Sequence, residues 1–87
     1  MENIILEELS SPGCHICKAF EEFWHGVEKQ FPNVVYKNIS VVTREGMELA
    51  GKHMILASPG IIINGELFST GGFNQEKFMS KIKELSK

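Results

Sequence analysis

The chain has 87 residues, with nine basic and eleven acidic side chains and a formal net charge of −2. One domain, residues 1–87, is expected at this length, and it buries only about two-thirds of its unfolded surface, so its core must be small. The balanced charge argues against nucleic acid or an anionic membrane surface as partner, and no apolar run is long enough to span a bilayer.

Met1-Glu2-Asn3 lacks the basic and apolar regions of a secretory leader, which gives a cytoplasmic location by default. Residues 3–9 read as a buried strand, apolar except for Glu7 and Glu8. The stretch Ser11-Pro12-Gly13-Cys14-His15-Ile16-Cys17-Lys18 follows, and Pro12 and Gly13 read as the turn that releases the chain from the strand. Residues 14–31 read as a helix, because Cys17, Phe20, Trp24, Val27 and Phe31 recur at helical spacing while Glu21, Glu22, Glu28 and Lys29 fall elsewhere. Pro32-Asn33 ends it.

Residues 34–39 form a second strand. Thr43 caps a helix over about 44–56, with Met47, Ala50 and Met54 on one face. After Ala57-Ser58-Pro59-Gly60 come a strand at 61–63, a tight turn at Asn64-Gly65 and its partner strand at 66–69. Gly71-Gly72 breaks that strand. Asn74 caps a last helix with Phe78, Ile82 and Leu85 inward, and Phe73 and Phe78 have the spacing of a hydrophobic staple. Phe20, Phe23, Trp24, Met47 and Met54 are expected in the core rather than at a cofactor. The order βαβαββα implies an α/β fold. Its four-stranded mixed sheet has two parallel strands, an antiparallel hairpin and three helices on both faces.

The chemistry centres on Cys14 and Cys17, the two cysteines of the chain. Residues three apart on a helix have Cβ atoms about 5–6 Å apart, and a disulfide needs about 3.5–4.5 Å, so a small adjustment closes the bond. Cys14 falls at the helix N-terminus, where unpaired amides favour a thiolate, and Lys18 adds positive charge one turn on. His15, when protonated, favours the same thiolate. A structural disulfide closing so short a loop would stabilise little. Structural zinc wants four ligands, and His15, His25 and His53 lack the His-x3-5-His spacing that would supply two of them. No metal is therefore assigned. A Cys-x-x-Cys pair between a strand and a helix points to thiol–disulfide exchange.

The order of elements, Cys14-His15-Ile16-Cys17 at the start of the first helix, and Pro59 just before the third strand resemble the thioredoxin superfamily in its minimal, glutaredoxin-sized form. The resemblance covers essentially the whole chain. It implies that Cys14 attacks a disulfide of a protein substrate and that Cys17 resolves the mixed disulfide. It also implies that Ser58-Pro59 is the cis-proline site facing the cysteines, with the Ser58 backbone free to pair with an extended substrate. Gly71, Gly72 and Phe73 resemble the segment that helps hold glutathione in glutaredoxins. Glu8, six residues before Cys14, matches the place of a buried acid found in many thioredoxins. There it would take the proton of Cys17. Read from the residues alone, Glu8 serves equally as a strand-edge side chain facing water.

His15-Ile16 stands between the cysteines where glutaredoxins usually carry Pro-Tyr and thioredoxins Gly-Pro. Asn74-Gln75 replaces the acidic pair that follows Gly-Gly in glutaredoxins. The expected protein is thus a monomeric, cofactor-free protein disulfide oxidoreductase. Its expected electron donor is a thioredoxin-reductase-type enzyme or a partner dithiol. A glutathione-dependent glutaredoxin or an iron–sulfur cluster module is the alternative.

Overall fold

Seven elements follow one another in the computed structural model, which describes residues 3–87; Met1 and Glu2, part of the leader reading, lie outside the described residues. They are β1 (Ile4–Ser10), α1 (His15–Val27), β2 (Val34–Ser40), α2 (Arg44–His53), β3 (Gly60–Ile63), β4 (Glu66–Thr70) and α3 (Gln75–Leu85). The sheet order is β2-β1-β3-β4. β1 pairs parallel with β2 and antiparallel with β3, and β3 with β4 is antiparallel. This is the expected mixed sheet. Because β1 and β3 lie inside it, both of their faces meet protein, which is why β1 puts Ile4 and Leu6 on one face and Leu9 on the other, all buried, and all of β3 is buried. None of the described helices is long and apolar enough to cross a membrane.

One face of the sheet is covered by α1 and α3. There Phe20, Trp24, Phe78 and Ile82 pack with Ile4, Leu6, Ile61 and Ile63. On the other face Leu9, Ile39, Ile55 and Ile62 pack beneath Leu49 and Ala50 of α2. Asn64 and Gly65 take positive φ values of 51° and 81°, the pair of left-handed residues a two-residue hairpin turn requires. The register of β3 against β4 shifts between Ile61 and Ile62, where a bulge leaves Phe68 without a partner in the ladder.

The caps are as expected. Thr43 Oγ1 accepts the Gly46 N–H at 3.0 Å, and Asn74 Oδ1 accepts the Lys77 N–H at 2.9 Å. Phe73 and Phe78, on either side of the second cap, both meet Phe20 edge-on, with ring centroids 5.0 and 5.3 Å away.

Three expectations are corrected. The first helix stops at Val27, with poor helix-forming Gly26 in its last turn. A 3₁₀ turn at Glu28–Gln30 then carries Phe31 back into the core. The second helix stops at His53, because Met54 turns left-handed and its N–H closes onto the Ala50 and Gly51 carbonyls. Met47 and Met54 are not core residues: they are 60% and 80% exposed. The cause is Gly46. A Cβ there would lie 1.9 Å from the Ser40 carbonyl oxygen, so this side of α2 sits directly on the end of β2. Leu49 and Ala50 share that side and turn inward, while Met47 and Met54 turn away.

Candidate active site

Cys14 is the N-cap of α1, and Cys17 lies within its first turn. The two form a disulfide with Cα atoms 5.3 Å apart. Cys14 Sγ accepts the Cys17 N–H at 3.1 Å. In the reduced protein the same amide is placed to favour a Cys14 thiolate, since hydrogen bonds to a charged acceptor are the stronger kind. Cys14 is half-exposed whereas Cys17 is buried, so an incoming disulfide reaches Cys14 first. His15 and Lys18 are exposed beside them.

A second loop meets this turn. Ser58 and Ser11 share a hydrogen bond between their hydroxyls at 2.6 Å, and the Ser11 carbonyl accepts the Cys14 N–H at 3.3 Å. The Ser58–Pro59 peptide bond is cis, and Pro59 is fully buried. The Pro59 carbonyl accepts the Gly71 N–H at 3.0 Å, and the Ala57 carbonyl accepts the Thr70 hydroxyl at 2.8 Å. Ser58 itself makes no backbone–backbone hydrogen bond among the described residues. The structure therefore brings Cys14, Ser58, Pro59 and Gly71 into one connected region. Phe73 enters the aromatic core with its ring, against Phe20 and Phe23. Gly72 is half-buried beside it.

Glu8 is fully buried, so it is not a strand-edge side chain facing water. The alternation of β1 places it on the α1 side of the sheet with Ile4 and Leu6. Tyr36 donates its hydroxyl to Glu8 Oε1 at 2.5 Å, while Oε2 is buried with no hydrogen-bond partner. Burial first, and then the neighbouring Glu21 carboxyl, push Glu8 up to about 8, against the pull of the Tyr36 hydrogen bond. Burial and the bond to Glu8 in turn push the Tyr36 hydroxyl above its ordinary value.

An open cavity of about 610 Å³ lies next to the disulfide. Cys14, Cys17, His15, Lys18, Glu21 and Asn38 line it. Among the described residues no group of three or more His, Cys, Asp or Glu side chains is placed to hold a metal ion.

Sequence reasoning did not single out Tyr36 or Glu21. Tyr36 was legible only through the strand register, because Leu6 pairs with Tyr36 and Glu8 with Asn38, which puts all four on one face. Glu21 looked like part of a solvated helix face. Its signal was its position one turn after Cys17, on the same side of α1.

A family model described as a thioredoxin domain matches residues 5–84. No curated protein matches the sequence. Among solved structures, a thioredoxin from Fasciola hepatica is similar with a TM-score of 0.74 at 21% identity, over 94% of this chain and 80% of that one. Mitochondrial thioredoxin 3 from Saccharomyces cerevisiae, in its oxidised form, is similar with a TM-score of 0.75 at 18% identity, over 97% and 80%. A chain from a complex of ferredoxin:thioredoxin reductase with thioredoxin f2 gives a TM-score of 0.76 at 13% identity, over 99% and 80%. These three likenesses establish the fold.

Proposed function

The chain belongs to the thioredoxin family and is a thiol–disulfide oxidoreductase, and from that premise we propose that it reduces disulfides of protein substrates with electrons from a reductase or a partner dithiol. The observation that carries this reading is the Cys14–Cys17 disulfide at the helix N-terminus beside an unpaired Ser58 backbone. An extended substrate segment pairs with Ser58 and lays its disulfide over Cys14. The Cys14 thiolate attacks one substrate sulfur, and the other leaves as a thiolate. Cys17 then attacks Cys14, giving up its proton to Glu8 and releasing the reduced substrate. Glu8 at about 8 lies close to an ordinary cysteine at about 8.5, so this proton moves in either direction at little cost. The exposed Lys18 supplies positive charge beside the attacking thiolate, with His15 next to it.

A protein donor is favoured over glutathione. Gly71 has already given its N–H to Pro59, and Asn74 caps α3 with its own side chain, where a glutathione carboxylate would need free amides. One of the similar structures is a complex of a thioredoxin with a reductase, which supports the same class of donor.

The test is Cys17→Ser in an insulin-reduction assay and in a glutathione-coupled assay with a small mixed disulfide. The variant should accumulate a substrate-linked adduct at Cys14. The unsubstituted protein should turn over slowly with glutathione. Full dithiol turnover by Cys17→Ser would overturn the two-cysteine mechanism. Rapid, saturable turnover at millimolar glutathione would overturn the donor assignment.

A further inference from the structure

Glu8 is held unevenly. Oε1 is fixed by Tyr36 at 2.5 Å, and Oε2 is buried with nothing bonded to it. A hydrogen bond donated to a carboxylate favours its charged form, and a second carboxyl nearby favours its protonated form. The structure supplies one of each. Tyr36 arrives from β2, and Glu21 arrives from α1, half-buried, on the wall of the cavity it shares with Cys17.

We propose that Tyr36 and Glu21 are opposed positioning residues for the thiol–disulfide exchange. Tyr36 orients the Glu8 carboxyl by holding Oε1, which leaves Oε2 for the Cys17 proton, and Glu21 sets how firmly Glu8 keeps that proton. This rests on the reading of Glu8 as proton acceptor given above.

In the resolving step the Cys17 S–H bond breaks, and its proton passes to Glu8 Oε2. The sulfur electron pair forms the Cys14–Cys17 bond. The bond between Cys14 and the substrate breaks, and its pair leaves on the substrate sulfur, which takes a proton from solvent. The substrate disulfide has then gained two electrons and the dithiol has lost them. When the reductase or dithiol partner reopens Cys14–Cys17, Glu8 returns the proton to Cys17.

The surroundings of Glu8 leave few other groups to act on it. β3 sets Ile61 opposite it, and β2 adds Asn38, which pairs with it in the ladder. α3 sends Phe78 and Ile82 into the same layer. From α1 comes Glu21, which shares the cavity wall with Cys17 and Lys18. The two neighbours act in opposite senses: Glu21 raises Glu8 and the Tyr36 hydrogen bond lowers it.

The experiment follows the ¹³C shift of the Glu8 carboxyl against pH in the oxidised protein, where neither cysteine titrates. It pairs this with the rate of the resolving step from a preformed Cys14 mixed disulfide. Tyr36→Phe should move the Glu8 midpoint up and Glu21→Gln should move it down, each by about one pH unit. Glu21→Asp should restore the original midpoint. The midpoint of the resolving rate should move in the same two directions. A general loosening of the fold would not move the two variants oppositely. Equal or same-sign shifts would overturn the proposal while leaving Glu8 as the proton acceptor. A resolving rate unchanged by Glu8→Gln would overturn the Glu8 reading and this inference with it.

Discussion

Beneath α1 and α3 the sheet buries Phe20, Trp24, Phe31 and Phe78 together with eight partly buried neighbours packed at the margin, among them Phe23, Tyr36 and Phe73. Beneath α2 it buries Leu9, Ile39, Ile55 and Ile62, while Met47, Met54 and the 97%-exposed Leu56 stay outside. On the proposed mechanism the aromatic side serves the proton transfer, because a water-free layer of large side chains holds Glu8 near the pKa of a thiol. The thin side has a different task. It carries the loop from Ile55 to Pro59, which on the proposed mechanism lies open for a substrate to reach Ser58. If that mechanism holds, the difference teaches that the two halves of one site draw on unlike packing: depth for the proton, exposure for the substrate.

The largest effect should come from cutting the thick side. Trp24→Ala removes the largest buried side chain and should cost about 3–5 kcal/mol. A chain of this length is stable by only roughly 4–13 kcal/mol in all, so the variant should be close to unfolding at room temperature. Leu49→Ala, on a half-buried residue of α2, should cost less than half as much. Urea midpoints of the two variants check the order, and an equal loss would contradict the asymmetry.

pH should separate the faces next. Glu8 titrates near 8 in the folded protein against 4.5 for an ordinary glutamate. Between these values the folded state binds more protons than the unfolded state, so stability falls as pH rises. The contribution is fully present below pH 4.5 and lost by about pH 8. The loss should be roughly 3–5 kcal/mol over that window. Glu8→Gln should flatten this slope in unfolding experiments at pH 5 and pH 8.5. Glu8 and Asn33 are the buried polar or charged side chains among the described residues, so the α2 side offers no counterpart.

Much of this arrangement was legible in the sequence. Hydrophobic period and turn chemistry are local, and they gave every element, the caps at Thr43 and Asn74, the Asn64-Gly65 hairpin and the cysteine pair. What they could not give was rotation and register. Thr43 starts α2 in the right place, but which side of that helix meets the sheet depends on the contact of Gly46 with Ser40, two elements brought together by the fold. Glu8 was ambiguous for the same reason. Its neighbour Glu7 is equally polar, and only the pairing of β1 with β2 shows that Glu8 shares a face with Tyr36. Glu21 sits among acidic residues on α1, and nothing in the local pattern marks it as the one beside a buried carboxyl.

Glycine replacements sharpen the contrast between helices. Gly46→Ala in α2 drives a Cβ into the Ser40 backbone and should cost about 1–3 kcal/mol, despite the better helix propensity of alanine. Gly26→Ala in α1 meets nothing within 4 Å and should stabilise by about 0.5–1 kcal/mol. Opposite signs in thermal melts are the expected result. A stabilised Gly46→Ala would mean that α2 can lift off the end of β2, and that the exposure of Met47 is not fixed by this contact.

The smallest effect should come from Met54, at the far end of α2. Its backbone is left-handed, with φ 55° and ψ 44°, a conformation that costs a residue with a side chain about 1–2 kcal/mol. Glycine removes that cost but gives the unfolded chain more freedom, which returns about 0.4–1 kcal/mol. The side chain is 80% exposed, so little packing is lost. Met54→Gly should therefore gain about 0.5 kcal/mol, or about 2–4 °C in Tm for a domain of this size. The α2 side would then be limited by backbone geometry where the α1 side is limited by packing. A drop in Tm would instead show that Met54 covers apolar surface on the thin face, and that the face is better filled than its four buried residues suggest.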